Sequence, residues 1–145
     1  MDNSIDEKIQ RVALKHIKNS SMDSSKWEYT ILGSIHTIIL EHVKLEKDEL
    51  PIVSIYISDS NWSVYSTRRI FGIYEGEESQ ILSSSEILGE YGNAKDKNNK
   101  SKVATYKLDG KVCRFTFETG KASMAPIHYI KFWNLKYPIL NILKG

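Results

Sequence analysis

Apolar positions fall at helical spacing at the start of the chain, alternate with polar ones through its middle, and return to helical spacing near the end. Residues 4–18 read as an amphipathic helix, with Ile5, Ile9, Val12 and Ile17 along one stripe. Ser4 and Glu7 fit a capping box, in which each side chain satisfies the other residue's backbone N–H. Lys15 and Lys18 sit near the negative end of the helix dipole. The polar stretch NSSMDSS, residues 19–25, ends this helix.

From Trp27 to Thr119 the texture is that of strands. Tyr29–Leu45 is rich in β-branched residues and reads as one long strand, or as two joined by a bend at Gly33-Ser34. KLEKDELP (44–51) is a polar turn closed by proline. PIVSIYIS and WSVYST flank the turn formers Asp59-Ser60-Asn61. IFGIY (70–74) is strand-like and leads into an acidic turn, EGEES, with a short strand near Gln80–Leu82. VATYKL and KVCRFTFE flank Asp109-Gly110, the strongest hairpin signal in the chain. In the last strand, period two places Cys113, Phe115 and Phe117 on an apolar face, opposite Val112, Arg114, Thr116 and Glu118. Ser123–Tyr137 returns to helical spacing, with Pro126 in the first turn. Its apolar face runs through Ile127, Ile130, Trp133 and Tyr137, widened by Tyr129, Phe132 and Leu135. An apolar tail follows over 138–145; its ILNIL run covers one end of the fold or offers a patch to a partner.

A helix, about seven strands and a closing amphipathic helix is an order that resembles the bacterial pleckstrin-homology-like (PH-like) domains. VYSTRRIFGI (64–73) looks like their strand–turn–strand, and SSSEILGEYG, YKLDGKVCRFTF and the last helix follow in the same order. The resemblance covers roughly residues 30–137. It implies an α+β fold: a PH-like barrel of antiparallel strands, plugged by the C-terminal helix, here with an extra N-terminal helix. It also implies a binding scaffold. Lipid-binding members grip phosphates with Lys and Arg around the first strand–strand loop. The corresponding loop here sets Lys44 and Lys47 against Glu41, Glu46, Asp48 and Glu49, which argues against phosphoinositide binding. Fold by itself does not give function.

At 145 residues the chain is expected to form one domain, and folding at this size buries roughly 68–70% of the unfolded surface. The N-terminus lacks the apolar core of a secretory signal, and no apolar run reaches the roughly 18 residues of a membrane span, so a cytoplasmic protein is expected. Lysine outnumbers arginine 16 to 4 and Ile, Ser and Asn are abundant, a composition that suggests an AT-rich bacterial genome. The net charge of +2 conceals a division: residues 1–92 carry 15 acids and 9 bases, residues 93–145 carry 3 and 11.

The residues offer little for catalysis. Cys113 is alone and inward-facing, a poor setting for a thiolate nucleophile. His16, His36, His42 and His128 show no metal-ligand spacing, and no phosphate-binding, dinucleotide-binding or nucleophile-elbow motif occurs. A non-catalytic protein with no metal and no cofactor is expected. Two charged stretches remain. Glu75, Glu77, Glu78, Glu86 and Glu90 lie in a region without Lys or Arg from 70 to 94; they form a surface for a basic protein partner, with Trp62 and Tyr91 as aromatic anchors. A stand-alone module of this kind suits an immunity or antitoxin-type inhibitor of a basic toxin domain. The alternative is an anion-binding surface for phospholipid or nucleic acid, built from Arg68, Arg69, Lys95, Lys97, Lys100 and Lys102. The acidic and basic blocks are separated in sequence by the turn at Tyr91–Asn93. Juxtaposed they screen each other; held apart they make two faces.

Overall fold

The computed structural model describes residues 4–20, 27–82, 87–96, 98–108 and 110–134. In chain order these form α1 (Ser4–Ser20), β1 (Thr30–Leu32), α2 (Thr37–Leu40), β2 (Pro51–Ser58), β3 (Asn61–Ser66), β4 (Arg69–Tyr74) and β5 (Glu77–Leu82). Then come β6 (Leu88–Glu90), β7 (Ser101–Leu108), β8 (Lys111–Glu118) and α3 (Met124–Asn134), the last entered through a 3-10 turn at Gly120–Ser123. The architecture is α+β. Strands β1 to β5 form one antiparallel sheet in sequence order, and β6 to β8 form a second.

The expected barrel is not formed. The sheets of five and three strands remain separate, with β1 and β5 as the edges of the first. Strand β8 instead crosses the inner face of the larger sheet, touching β2, β3, β4 and β5 in turn. Ser63 of β3 fastens this crossing by donating its hydroxyl to the Thr116 carbonyl at 3.0 Å. At the end of β8 the Glu118 carboxylate accepts from the backbone N–H groups of Glu28 and Tyr29, both at 2.9 Å, and from the Thr30 hydroxyl at 2.8 Å. A side chain thus takes amide donors that a closing backbone ladder would need, and buried polar groups are rarely left without some partner. Period two had placed Glu118 and Thr116 away from the core. Both are buried all the same, while Val112 and Arg114 of the same row are exposed.

Two further expectations change. Only Thr30–Leu32 of the 29–45 stretch is strand; the chain bends at Gly33-Ser34, with Gly33 at φ +78°, and then forms the short helix α2. Ile35, Ile39 and Val43, four residues apart, lie against the outer face of the larger sheet with Trp62, Val64 and Phe71. Their β-branching suggested strand, but their spacing is helical. The acidic turn is also shorter than expected. Only Glu75 and Gly76 turn, both at positive φ as a two-residue hairpin with right-handed twist requires, and Glu77 and Glu78 already belong to β5.

The larger sheet is therefore covered on both faces. Its inner face meets β8, α1 and α3 around Val53, Ile55, Tyr65, Ile70, Phe115, Phe117 and Tyr129. On α1 the buried stripe is Asp6, Ile9, Ala13 and Ile17, while Ile5 is exposed. The side chain of Ser4, and with it the proposed capping box, lies outside the described residues, as do 135–145 with Leu135, Tyr137 and the ILNIL tail. On α3 the buried face centres on Ala125, Tyr129 and Phe132, and Pro126 occupies the first turn as expected.

Within this packing, Gly72 is fixed by space. A Cβ there would lie 2.3 Å from the Trp62 carbonyl oxygen and 2.8 Å from Ser63 Cα, both backbone atoms. Gly72→Ala is expected to cost about 2–3 kcal/mol, as overpacking of a tight site does, read as a lower urea midpoint. A loss under about 0.5 kcal/mol, the usual size of a surface substitution, would contradict this account.

Helix α1 meets α3 through His16 and His128, whose rings stand edge-on with centroids 5.4 Å apart. Burial, with Lys131 and His16 nearby, holds the His128 pKa below its usual 6.5. The unfolded chain then binds the proton more readily. The stabilising contribution is present above pH 6.5 and is lost as pH falls through the folded value. Denaturant stability should decline as pH falls below 6.5, and His128→Gln should flatten that decline. An unchanged slope in the variant would show that other groups cause it.

Candidate functional site

The two arginines proposed for anion binding are tied to carboxylates of the same chain, Arg69 largely covered and Arg68 partly exposed. Arg68 and Arg69 follow β3 at a tight turn, and each meets a carboxylate distant in sequence. Asp6 of α1 accepts from Arg68 Nε at 3.2 Å, from Arg68 Nη2 at 3.1 Å and from the Thr67 hydroxyl at 2.6 Å. Glu49 accepts from Arg69 Nε at 2.9 Å and Nη2 at 3.0 Å, with the Ser66 hydroxyl on the same carboxylate. The Glu49 side chain is 0% exposed and that of Arg69 14%. The remaining Arg69 donors go to Gln80 Oε1 and the Lys44 carbonyl, and its guanidinium lies 4.1 Å from the Phe71 ring centre. Fork geometry of this kind leaves Arg69 few donors for an external phosphate, whereas Arg68, 40% exposed, keeps Nη1 at the surface, 4.0 Å from Glu46.

The lysines of the basic stretch are spread out. Lys100 pairs with Glu28 at 3.2 Å and Lys102 with Asp96 at 3.2 Å, Lys95 is exposed, and Lys97 lies outside the described residues. Exposed pairs of this sort are weak, about 0–1 kcal/mol, but they intersperse opposite charge through the patch.

The acidic set behaves differently. Glu90 on β6 pairs with Lys107 at 3.0 Å, and Glu86 lies outside the described residues. Glu75, Glu77 and Glu78 stand together at the β4–β5 hairpin, all exposed, and no ion pair to them occurs among the described residues. The hairpin is itself anchored: the Glu75 N–H donates to Asn61 Oδ1 at 2.9 Å and the Gly76 N–H to the Ser60 carbonyl at 3.1 Å. The acidic hairpin therefore sits on the larger sheet, and Lys100, Lys102 and Lys107 on or beside the smaller one.

The expected aromatic anchors are interior. Trp62 is 2% exposed and packs edge-on to Phe71 beneath Ile39. Tyr91 stands edge-on to both Tyr106 and Phe117, and burial pushes its phenol up to about 12. Trp62 is buried and Tyr91 half-buried against the core, so neither projects from the surface as an anchor. They belong to a wider aromatic core in which the Tyr65 and Tyr106 hydroxyls meet at 2.8 Å and Tyr129 donates to the Ser66 carbonyl at 2.6 Å.

Beside the acidic hairpin, the outer face of the larger sheet opens into a cleft of about 280 Å³. Val43 bounds it on one side. Trp62, Phe71 and Ile73 form an apolar floor, and Glu78 and Gln80 project from β5 at the rim. The register explains the grouping: Trp62 pairs with Ile73 and Ile73 with Glu78, while Val64 pairs with Phe71 and Phe71 with Gln80, so two cross-strand rows share one face. The buried Trp62 Nε1–H has no acceptor among the described residues. The sequence held a signal for this cleft. β3 and β4 carry apolar residues at odd and even positions alike, the mark of strands covered on both sides.

Cys113 is half-buried against the main core, and burial, opposed by Lys111, raises its thiol pKa. His36 is tied to the Tyr29 carbonyl at 2.8 Å and, through its N–H, to Ser54 Oγ at 3.1 Å. No group of three His, Cys, Asp or Glu suited to a metal ion occurs among the described residues, and no described helix is long and apolar enough to cross a membrane. No protein family, curated protein or solved structure matches this chain.

The buried pair at the turn gives a measurable consequence. Burial works to raise the Glu49 pKa, but hydrogen bonds from Arg69, Ser66 and the Glu46 N–H, with the charge of Arg69, outweigh it and hold the carboxyl below 4.5. Its contribution to stability is present above pH 4.5 and is lost as pH falls through the folded value. Glu49→Gln should cost about 2–3 kcal/mol at pH 7, near the lower end for a broken buried pair. The gap between variant and native protein should narrow below pH 4.5. A gap that stays constant on acidification would place the stabilisation elsewhere.

Proposed function

We propose that this protein is a small protein-binding module that docks a basic partner through the β4–β5 hairpin, as an immunity or antitoxin-type inhibitor does. The observation that carries this reading is the unequal treatment of the two charges. Arg68 and Arg69 are each paired with a buried carboxylate, whereas Glu75, Glu77 and Glu78 face solvent with no ion pair among the described residues. Like-charged carboxylates brought together raise the free energy of the free protein, and a cationic surface relieves it. Such fields accelerate encounter and set orientation more than they supply affinity. The anchors differ from those the sequence suggested: Trp62 and Tyr91 are interior, so Leu82, 58% exposed on the same strand, takes the apolar part of the contact. The anion-binding alternative draws less support, because its two arginines are already bonded and its lysines are interspersed with Glu28 and Asp96.

Titration of the isotope-labelled protein with octalysine, followed by NMR, tests the charge reading. Shifts are expected to concentrate on residues 75–82 and to weaken steeply as salt rises. The triple variant Glu75→Lys, Glu77→Lys, Glu78→Lys should bind at least tenfold more weakly with its spectrum otherwise preserved. Binding that survives this reversal, or stronger salt-sensitive binding to a short DNA duplex or to phosphatidylserine vesicles, would overturn the proposal.

A further inference from the structure

Strand β5 is an edge of the larger sheet, hydrogen-bonded to β4 on one side and followed by no further strand in that sheet among the described residues. Proteins commonly guard such edges with lysine, proline or a bulge, because an open edge is a template for another chain. β5, EESQIL, has none of these; its guards are the two adjacent glutamates. Glu78, Gln80 and Leu82 alternate along the outer face of this edge, and the first two form the rim of the 280 Å³ cleft. Pockets for drug-sized ligands start at roughly 300 Å³, so this one suits a single side chain. Its floor of Trp62, Phe71 and Ile73 is apolar and its rim carries the Glu78 carboxylate, which matches an alkyl stem ending in a cation. Arg69 also lines the cleft and already places its guanidinium over Phe71, so a second cation has room only at the other end, beside Ile73 and Glu78.

We infer that the basic partner supplies an extended segment that adds to the edge of β5 left open among the described residues as a sixth strand, placing one lysine or arginine side chain toward Ile73 against Glu78, at the end of the cleft away from Arg69. This rests on the charge reading above and adds the mode of binding. Main-chain hydrogen bonds to β5 supply affinity, and the cleft selects which residue faces the sheet. Directly opposed side chains on neighbouring strands stand about 4.5–5.5 Å apart at Cβ, within reach of a Lys–Glu78 pair. A second copy of this chain is a poorer occupant, since it would set an acidic, lysine-free strand against another of the same kind.

The test uses an acetylated octapeptide of alternating lysine and threonine, and the same sequence N-methylated at every residue, which keeps its charge and loses its amide donors. The unmodified peptide is expected to slow amide exchange across residues 77–82, and the methylated one to bind at least tenfold more weakly. Glu78→Gln should weaken the unmodified peptide severalfold without altering exchange elsewhere in the sheet. Equal binding of the two peptides, abolished by the triple charge reversal, would overturn strand addition and leave charge-steered docking intact. Shifts remote from residues 75–82, or none, would overturn both. Protection of 77–82 without peptide, with a dimer in sedimentation equilibrium, would replace the partner by a second copy.

Discussion

The turn from Ser66 to Arg69 is where the parts of this molecule are fastened to one another. Asp6 brings α1 to Thr67 and Arg68, Glu49 brings the 46–50 loop to Ser66 and Arg69, and Tyr129 brings α3 to the Ser66 carbonyl. Thr67 adds a backbone and side-chain exchange with Leu50, at 2.9 and 3.0 Å. Two carboxylates removed from water are tolerable only when their lone pairs are filled and their charge is matched, and the paired arginines do both. The helices and the sheet therefore dock in one relative arrangement, since any slip strands a buried charge.

That fastening decides what remains available at the surface. Because Arg69 is drawn toward Glu49, it closes one end of the outer-face cleft and lies on Phe71. Because the 33–45 segment covers only part of the outer face, through Ile35, Ile39, Val43 and Leu45, the part over β4 and β5 stays open. The acidic hairpin, the cleft and the free strand edge are consequences of the same partial cover. Their adjacency gives the proposed binding site its coherence.

The near-neutral net charge of +2 takes on a different meaning in this light. The chain does not spread its charges evenly. Arg68 and Arg69 serve internal pairs, the lysines around 100–107 meet Glu28, Asp96 and Glu90, and a small acidic excess is concentrated at one hairpin on the larger sheet. A net charge near zero thus coexists with a local cluster of exposed carboxylates.

Much of the local structure was legible from residues alone. Periodicity placed both terminal helices, Asp59-Ser60-Asn61 and Asp109-Gly110 marked two hairpins, the first with Asn61 already in β3, and alternation put Phe115 and Phe117 inward. These depend on neighbours a few positions apart, which the sequence displays directly. The barrel, the strand expected over residues 35–45 and the exposure of Trp62 and Tyr91 were misread because each turns on contacts between distant residues. Glu118 meets residues 28–30, Ile39 meets Trp62, and Arg68 meets Asp6, across separations that hydrophobic pattern does not encode. The sequence by itself determined which charges exist and where the hairpin strands of the middle of the chain lie. The tertiary structure decided which charges are spent internally and which strand edge is left open, because ion pairing and layer cover are settled only when remote segments compete for the same surface.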